Sequence, residues 1–442
     1  MNRLLNRLSS SQIIILGFAG IILIGAILLM LPISTKSGTV TPLLDALFTS
    51  TSAVCVTGLV VKDTATYWST FGQAVILLLI QIGGMGVVTM ACAISLASGK
   101  VISLKQRSTM QEAISAHKVG GIVRLTGFIL RTTICIELIG AILLSIPFCK
   151  DFGLIKGLWY GFFHSISAFC NAGFDLMGVR EQFSSLTYYA ANPIVNVVIP
   201  SLIVIGGIGF LTWDDIAKYR HHLHKYSMQS KIVIMVTFLL ILIPSIYFFF
   251  FEFENLPFLT RVCQSVFQTV TTRTAGFNTA DLSLLSETGI FLMIVLMLIG
   301  GSPGSTAGGM KTTTFAILIS TSFSVFRRKE YAHFFKRRIS DGAIRNAITI
   351  FMMFMNTFLI SGCIISHIEG LPLLSCLYEC ASAIATVGLT VGITTELGAV
   401  SRCILILLMY IGRVGGLTLI FSTVSTKHAK ASKYPQGKVT IG

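Results

Sequence analysis

Charged residues are scarce in this chain: Asp, Glu, Lys and Arg make up only 12% of its 442 residues. A soluble globular domain carries about 25% charge. Because 53% of the side chains are hydrophobic, the low charge excludes a soluble globular protein. Long apolar runs recur instead and indicate a polytopic membrane protein. Convincing strand patterns are also missing, so we predict an all-α fold.

Motifs for cofactors and enzyme chemistry are missing as well. The ten cysteines show no CxxC pairing, the spacing typical of metal and redox sites. No GxGxxG turn follows a strand, so we expect any nucleotide to bind a partner rather than this chain. An intramembrane enzyme using Ser302, Ser305 or His164 would need a nucleophile beside a base. That pairing is missing from the sequence, so we predict no enzyme and no covalently bound cofactor.

Acidic residues are outnumbered by 33 Lys and Arg, which gives a net charge of +15. No nucleic-acid motif accompanies this charge, and we predict no nucleic-acid partner. Twenty-three of the basic residues lie in five connectors: 1–12, 97–131, 214–231, 327–345 and 425–442. Cytoplasmic loops are enriched in Lys and Arg. We therefore predict a multi-pass protein of the cell membrane with both termini in the cytoplasm.

A short glycine-centred loop recurs four times, each time after an apolar segment too short to cross a bilayer. One glycine marks each loop, and these marker glycines are Gly58, Gly173, Gly276 and Gly388. Successive markers are 115, 103 and 112 residues apart. A second glycine-rich motif begins 25, 33, 24 and 24 residues after each marker. Two agreeing periods predict repeated units. Each unit comprises a first span, a re-entrant pore helix, a loop and a second span, giving eight transmembrane helices and four pore helices around a central pore.

We place these units at 10–98, 121–213, 231–326 and 345–424, with a cytoplasmic tail at 425–442. The second spans of units 1, 2 and 4 are predicted to be continuous helices over 72–96, 193–213 and 403–424. In unit 3 the second span is broken by twelve residues that include five glycines and one proline. Irregular backbone at this depth is tolerated where it lines a watery path, so we predict an intramembrane plug. Its candidate residues are Gly300, Gly301, Ser302, Pro303, Gly304, Ser305, Gly308, Gly309 and Lys311.

The four loops have the chemistry of a cation site. Converging pore helices would direct their partly negative C-terminal ends at one axis. The extended residues that follow could present rings of carbonyl oxygens that replace the hydration shell of an ion. Candidate ion-binding residues are Val56, Thr57, Gly58, Asn171, Ala172, Gly173, Thr274, Ala275, Gly276, Thr386, Val387 and Gly388. Arg273 has two interpretations: a cation-repelling group near the path, or a tie to the end of pore helix 3.

The units resemble the pore modules of potassium channels, since Thr386-Val-Gly-Leu389 is close to the first half of the channel filter. The quadruplication, Thr272-Arg-Thr-Ala-Gly-Phe277 and the broken third span resemble the Trk/Ktr/HKT superfamily of potassium transporters, most nearly its Ktr membrane subunit. The resemblance covers residues 10 to 442. Relatives with serine at the first marker resemble sodium carriers, so glycine at all four markers favours potassium.

The resemblance implies potassium uptake, often sodium-dependent, through a filter that binds K⁺. It also implies a homodimer controlled by a cytosolic nucleotide-binding ring. In such a protein the unit 3 loop is a gate and Arg413 lies beneath the filter beside it. For Lys311, the alternative is a side chain that extends to the cytoplasm. The alternative function is a cation-coupled carrier for another solute, which would be expected to show inverted repeats rather than these parallel ones.

Overall fold

The computed structural model describes residues 9–97, 102–114 and 121–415. The described chain is mostly helical with almost no sheet, as predicted. Four helices have the length and hydropathy of membrane spans and occupy the places of the predicted first spans: Ser10–Met30, Ile122–Phe152, Met228–Glu252 and Asp341–Glu369. The third of these is α-helical over Met228–Tyr247 and ends in a π-helical turn, Phe248–Glu252. Ser9, Ser227 and Ser340 cap three of the first spans by accepting hydrogen bonds from N–H groups three residues later.

The predicted short helices are present in all four units. These pore helices 1 to 4 are Leu43–Cys55, Leu154–Phe169, Phe258–Thr271 and Leu373–Ile384. Each has 12 to 16 residues, fewer than the ~20 needed to cross a bilayer. Pro42, Pro257 and Pro372 immediately precede three of them, where a missing N–H leaves no helix hydrogen bond unmade.

The second spans differ from the prediction, because units 1 and 2 are broken as well as unit 3. Their helical segments are Thr70–Met85 with Val87–Ala97, Pro193–Gly207 with Phe210–Tyr219, Glu287–Leu298 with Thr312–Phe326, and Ala399–Val414. Gly86 has φ 83° and ψ 133°, and Gly209 has φ 92° and ψ 142°. These angles are incompatible with a helix, so the continuous spans predicted over 72–96 and 193–213 were wrong. The two unit 2 segments meet at 98°.

Unit 4 turns in the same way, since its second span ends at Gly415 with φ 87° and ψ 133°. The rest of its predicted span and the predicted tail at 425–442 lie outside the described residues. A helix, Leu104–Ile114, connects units 1 and 2. The only departure from helix among the regular elements described is a small antiparallel hairpin that pairs His333–Phe334 with Arg337–Arg338.

The core is built around the pore helices. Each pore helix has a fully buried aromatic side chain four residues before the residue whose carbonyl or hydroxyl holds the loop: Phe48, Phe163, Phe267 and Tyr378. Burying aromatic rings of this size is a large part of core energetics. Each pore helix also contacts the second span of the preceding unit in the ring. Trp159 donates to Gln73 at 3.0 Å between units 2 and 1. Arg402 donates to Asp45 at 2.9 Å, which joins unit 4 back to unit 1.

Candidate functional site

The four marker glycines form a closed ring. A Cβ added to Gly58 would collide with the carbonyl oxygen of Ala172, and one added to Gly173 would meet that of Ala275 at 2.5 Å. The same test brings Gly276 against Val387 and Gly388 against Thr57. Each marker therefore touches the residue that precedes the marker of the next unit. The order is 1, 2, 3, 4 and back to 1, so glycine is required by close packing as well as by backbone angle.

The backbone in these loops alternates in handedness. The marker glycines have φ between 68° and 94°. Two residues earlier, non-glycine residues also have positive φ, between 53° and 67°: Val56, Asn171, Thr274 and Thr386. The residues between them are not in the left-handed region. An L-residue there costs roughly 1–2 kcal/mol, and such strain clusters at functional sites.

The loops turn their N–H groups toward the pore helices and leave their carbonyls free. The N–H of the residue before each marker donates to the pore helix carbonyl of Ser52, Ser167, Thr271 or Ser382, at 2.7 to 3.0 Å. The marker N–H groups of Gly58 and Gly388 donate to Ser52 Oγ and Ser382 Oγ. None of the twelve predicted filter residues uses its carbonyl to accept a hydrogen bond from the described chain. These oxygens are available to a cation.

Two threonine side chains in the loops add hydroxyl oxygens to the carbonyl oxygens of the ring. The hydroxyls of Thr57 and Thr386 are buried and have no hydrogen-bond partner among the described residues. Asn171, by contrast, can donate to the carbonyls of Ala168 at 3.1 Å and Ile203 at 3.2 Å. Its amide therefore anchors the second loop to the protein, while the two threonine hydroxyls remain free for a ligand or water.

The glycine-rich motifs of the second spans let these helices approach the ends of the pore helices. A Cβ on Gly83, Gly206 or Gly412 would collide with the carbonyl of Val54, Phe169 or Ile384 respectively. Only glycine permits this approach. The second periodicity in the sequence thus arises from backbone-to-backbone packing at the base of the ring.

The unit 3 loop, Gly300 to Lys311, lies beneath the ring and is held on several sides. Its two ends are paired, since Gly300 N–H donates to the Met310 carbonyl at 2.8 Å. The Ser302 N–H donates to Gly207 at 3.0 Å, and the Thr306 hydroxyl donates to the Phe169 carbonyl at 3.1 Å. A Cβ on Gly308 would collide with Thr386 Oγ1. The loop therefore packs directly against Thr386, a predicted filter residue of unit 4.

Two positively charged side chains, Arg413 and Lys311, form hydrogen bonds to this loop. Arg413 donates to the Thr306 carbonyl and, on the opposite side, to the carbonyls of Gly83 at 2.5 Å and Gly84 at 3.1 Å. It thereby joins units 1, 3 and 4. Lys311 donates to the carbonyls of Ala307 at 2.8 Å and Gly308 at 3.3 Å. Its ammonium folds back on its own loop, contrary to the alternative in which it extends away.

Cavities lie on both sides of this assembly. The filter mouth, of about 260 Å³, is lined by all four marker glycines together with Asp63 and Asp175. The basal cavity, of about 200 Å³, is lined by residues that include Gly304, Lys311 and Arg413. The ring and the unit 3 loop separate the two. Two carboxylates thus line the first cavity, and two basic side chains line the second.

Asp175 lies in the connector after pore helix 2, at the filter mouth. Burial raises the pKa of its carboxyl to about 7, and the nearby charge of Asp63 acts in the same direction. The Met177 N–H donates to Asp175 Oδ1 at 2.9 Å and opposes the rise. The negative charge of the mouth therefore changes near neutral pH.

His164 and Arg273 differ in how the described chain holds them. The Nδ1 of His164 contacts the Tyr160 carbonyl at 2.7 Å, and its Nε2 accepts from the Leu176 N–H at 3.3 Å. Arg273 is buried, and its Nε and Nη1 have no hydrogen-bond acceptor among the described residues. It is absent from the lining of both cavities. The described residues therefore show no contact that supports either interpretation of Arg273, the cation-repelling group near the path or the tie to the end of pore helix 3.

Sequence reasoning missed two groups of residues at this site. One is the set of hydroxyls that brace the loops: Ser52, Ser167, Thr271 and Ser382. The other is the buried aromatic layer of the pore helices. In units 1, 2 and 4 the aromatic precedes the marker by ten residues, and in unit 3 by nine. Aligning the units on this aromatic reveals that the third loop is one residue shorter, which alignment on the glycines conceals.

Comparison with known proteins identifies relatives along the whole chain. The family described as TrkH, cation transport protein, matches residues 7–434. The potassium/sodium uptake protein NtpJ of Enterococcus hirae is 40% identical over 451 residues, which cover 100% of this chain and 99% of that protein. The Ktr system potassium uptake protein B of Bacillus subtilis is 39% identical, over 99% of this chain and 97% of that protein.

A solved structure has the same fold. The potassium transporter TrkH from Vibrio parahaemolyticus matches with a TM-score of 0.72, and the match covers 93% of this chain and 85% of that one. Sequence identity over the match is 19%, so this likeness concerns the arrangement of helices alone.

Proposed function

This chain belongs to the TrkH family of cation transport proteins, and from that premise we propose that it admits potassium through the ring of four loops. It is a multi-pass membrane transporter of the Trk/Ktr type for potassium uptake. The observation that carries the filter proposal is the closed ring of marker glycines with unbonded carbonyls around it. Potassium, rubidium and sodium fluxes measured in proteoliposomes, with and without a voltage clamp, test it.

In this proposal the filter exchanges water for protein oxygens. A potassium ion entering from the mouth loses part of its hydration shell to the carbonyls of the residues at and before each marker. The Thr57 and Thr386 hydroxyls contribute at the lower end. The strained backbone keeps these oxygens in place before the ion arrives. Each loop has one marker glycine where a channel filter has two, which fits a shorter path with fewer ion sites.

The unit 3 loop is the proposed gate, and Arg413 is the residue that holds it closed. An intramembrane arginine is costly to bury unless it is paired. Here its hydrogen bonds to Thr306, Gly83 and Gly84 stabilise the closed position of the loop. Opening requires that the bond to Thr306 breaks. Replacing Arg413 should therefore favour the open state.

We expect Arg413→Ala to raise potassium flux about tenfold in the absence of any activating partner, since the charge-assisted hydrogen bond to the Thr306 carbonyl, which stabilises only the closed state, is lost. The variant should remain folded, because Gly84 lines the basal cavity and its carbonyl can bind water there. Flux into proteoliposomes is the measurement, with thermal unfolding as the check on folding.

The matched control is Arg345→Ala, which removes an exposed arginine near the start of the first span of unit 4. Its flux should equal that of the unchanged protein. If Arg413→Ala is folded and its flux is also unchanged, Arg413 does not hold the gate.

The acidic mouth should make uptake depend on external pH. As pH falls through 7, Asp175 binds a proton, the mouth loses negative charge and fewer potassium ions are concentrated there. We expect the KM for potassium to rise severalfold between pH 8 and pH 6, with little change in the maximal rate. Asp175→Asn should flatten this profile, whereas Asp281→Asn, at an exposed acid in the connector of unit 3, should leave it intact. A pH profile that survives in Asp175→Asn would exclude this role for Asp175.

The assembly is also part of the proposal. The units span residues 10–98, 121–213, 231–326 and 345–424, and both termini lie in the cytoplasm of a cell whose plasma membrane holds the protein. Two copies form a homodimer with one pore in each, and a cytosolic nucleotide-binding ring regulates the gate. The relative from Enterococcus hirae is named a potassium/sodium uptake protein, and for this chain we propose that sodium stimulates potassium uptake.

A further inference from the structure

One position on the pore helices reaches behind the filter. It immediately follows the buried aromatic and precedes the bracing hydroxyl by three residues in every unit. Its occupants are Thr49, His164, Gln268 and Glu379, and all four are buried. Because the marker loops run back past the pore helices, a polar side chain here can bond to the segment that follows the marker.

Units 2 and 3 use neutral side chains for this contact. His164 Nε2 accepts from the N–H of Leu176, three residues after Gly173. With its amide placed to satisfy both partners, Gln268 accepts from the N–H groups of Ala280 at 3.1 Å and Thr279 at 3.3 Å. In both units the pore helix thus holds the mouth-side end of the filter segment.

Unit 4 uses an acid. Glu379 is fully buried, and its two carboxyl oxygens accept from the hydroxyls of Thr390 and, at 2.8 Å, Thr394. The hydroxyl oxygens of these two threonines are 2.9 Å apart, and both residues line the filter mouth. Thr390 Oγ1 also accepts from the Gly392 N–H at 2.9 Å. No basic side chain of the described chain forms an ion pair with Glu379.

Unit 1 provides the contrast. The Thr49 hydroxyl donates to the Asp45 carbonyl, one turn earlier in the same pore helix. It makes no bond to the segment after Gly58. At this position the described chain therefore has three ties from a pore helix to the segment after the marker, and one unit in which the same position makes none.

We propose that Glu379 is a positioning residue that fixes the mouth-side end of the fourth filter segment and thereby sets the preference for potassium over sodium. This inference rests on the filter proposed above. The carbonyl ring discriminates between ions by the placement and number of its oxygens. Glu379 connects the pore helix to Thr390, two residues after Gly388, so releasing it lets that end of the ring move.

The test compares two substitutions at this position. Glu379→Ala should lower the potassium-to-sodium permeability ratio about tenfold, the loss expected when two buried hydrogen bonds of ordinary strength are removed. Glu379→Gln should restore the ratio to within about threefold, because an amide of the same shape can accept from one hydroxyl and donate to the other. If the glutamine variant loses as much selectivity as the alanine variant, positioning is not the role of Glu379.

Thr394→Val is the second route should Glu379→Ala not fold, because it removes one tie without removing the carboxyl. It should lower the ratio by a smaller factor, and an unchanged ratio would contradict the proposal. Thr49→Ala is the matched control and should leave selectivity unchanged, since Thr49 holds nothing beyond its own helix. An equal loss in Thr49→Ala would mean that the tie is not the cause.

Measuring Gly276→Ser in the same vesicles separates this inference from the filter itself. Selectivity lost in Gly276→Ser but kept in folded Glu379→Ala would reject the role of Glu379 and leave the filter intact. Selectivity kept in both would reject the filter and this inference with it.

Discussion

Gly276→Ser should lower the potassium-to-sodium permeability ratio at least tenfold. Gly276 has φ 85°, and its Cβ would collide with the Val387 carbonyl of the neighbouring unit. It would also lie 3.1 Å from the Cα of Gly173 and 3.3 Å from that of Gly388. A serine therefore displaces the Val387 carbonyl and presses on the backbone of units 2 and 4. Strain of about 1–2 kcal/mol for an L-residue at this φ adds to the steric effect, and each 1.4 kcal/mol corresponds to a tenfold change.

The measurement is the reversal potential in mixed potassium and sodium solutions, read together with the rates of both fluxes. Gly38→Ser is the matched control, because Gly38 has φ 70° but no atom lies near the position of its Cβ. It carries the same kind of backbone strain outside the ring, and its selectivity should equal that of the unchanged protein. A Gly276→Ser protein with normal selectivity would mean that ions do not pass through this ring.

The marker glycines illustrate what could be predicted from sequence. Four glycines at regular spacing after short apolar helices are a strong local signal, because few residues can adopt the left-handed conformation. The positive φ of the residue two positions before each marker leaves no comparable pattern in the sequence. Val56 is β-branched, a type rarely found at positive φ, and it adopts that angle where pore helix 1 ends and its N–H donates to the Ala53 carbonyl. Sequence preference alone argues against the conformation that the structure adopts.

The second spans show a different limit. The glycine-rich stretch Ile82-Gly-Gly-Met-Gly86 lies inside the second span that the sequence predicts to be continuous over 72–96. Gly83 in fact allows the close approach of Val54, and Gly86 breaks the helix. A glycine in a helix for packing and a glycine that ends a helix look the same in sequence. The unit 3 break was predictable because twelve residues there lack any apolar helical pattern.

Contacts between units could not be predicted from the sequence. Arg413 was placed near the gate by family resemblance, but its bonds to Gly83 and Thr306 join residues 330 and 107 positions away. Glu379 was overlooked because a single acid on an apolar helix has no periodic partner. Its role becomes visible only when Thr390 and Thr394 are brought back to the pore helix by the loop between them.

Deleting Ser302 to Gly308 should raise the maximal rate of potassium uptake about tenfold, the effect of lowering a barrier by ~1.4 kcal/mol. The deletion should also make uptake independent of the regulatory partner. The fold should tolerate it, because the ends of the loop are already adjacent: Gly300 N–H donates to the Met310 carbonyl, and Thr312 N–H donates to the Gly301 carbonyl at 3.0 Å. Joining Gly301 to Gly309 therefore needs little movement of the flanking helices.

Selectivity distinguishes a removed gate from a damaged filter. Thr386 loses its contact with Gly308 in the deletion, but its backbone remains held by the Ala383 carbonyl at 3.1 Å and by the ring. The permeability ratio should therefore stay within about twofold of the unchanged protein, a difference of less than 0.5 kcal/mol. Pro303→Ala, which keeps the length of the loop and its hydrogen bonds, should change neither rate nor ratio. A folded deletion variant with tightly regulated, slow uptake would show that this loop is not the gate, whereas a fast but unselective one would show that it supports the filter.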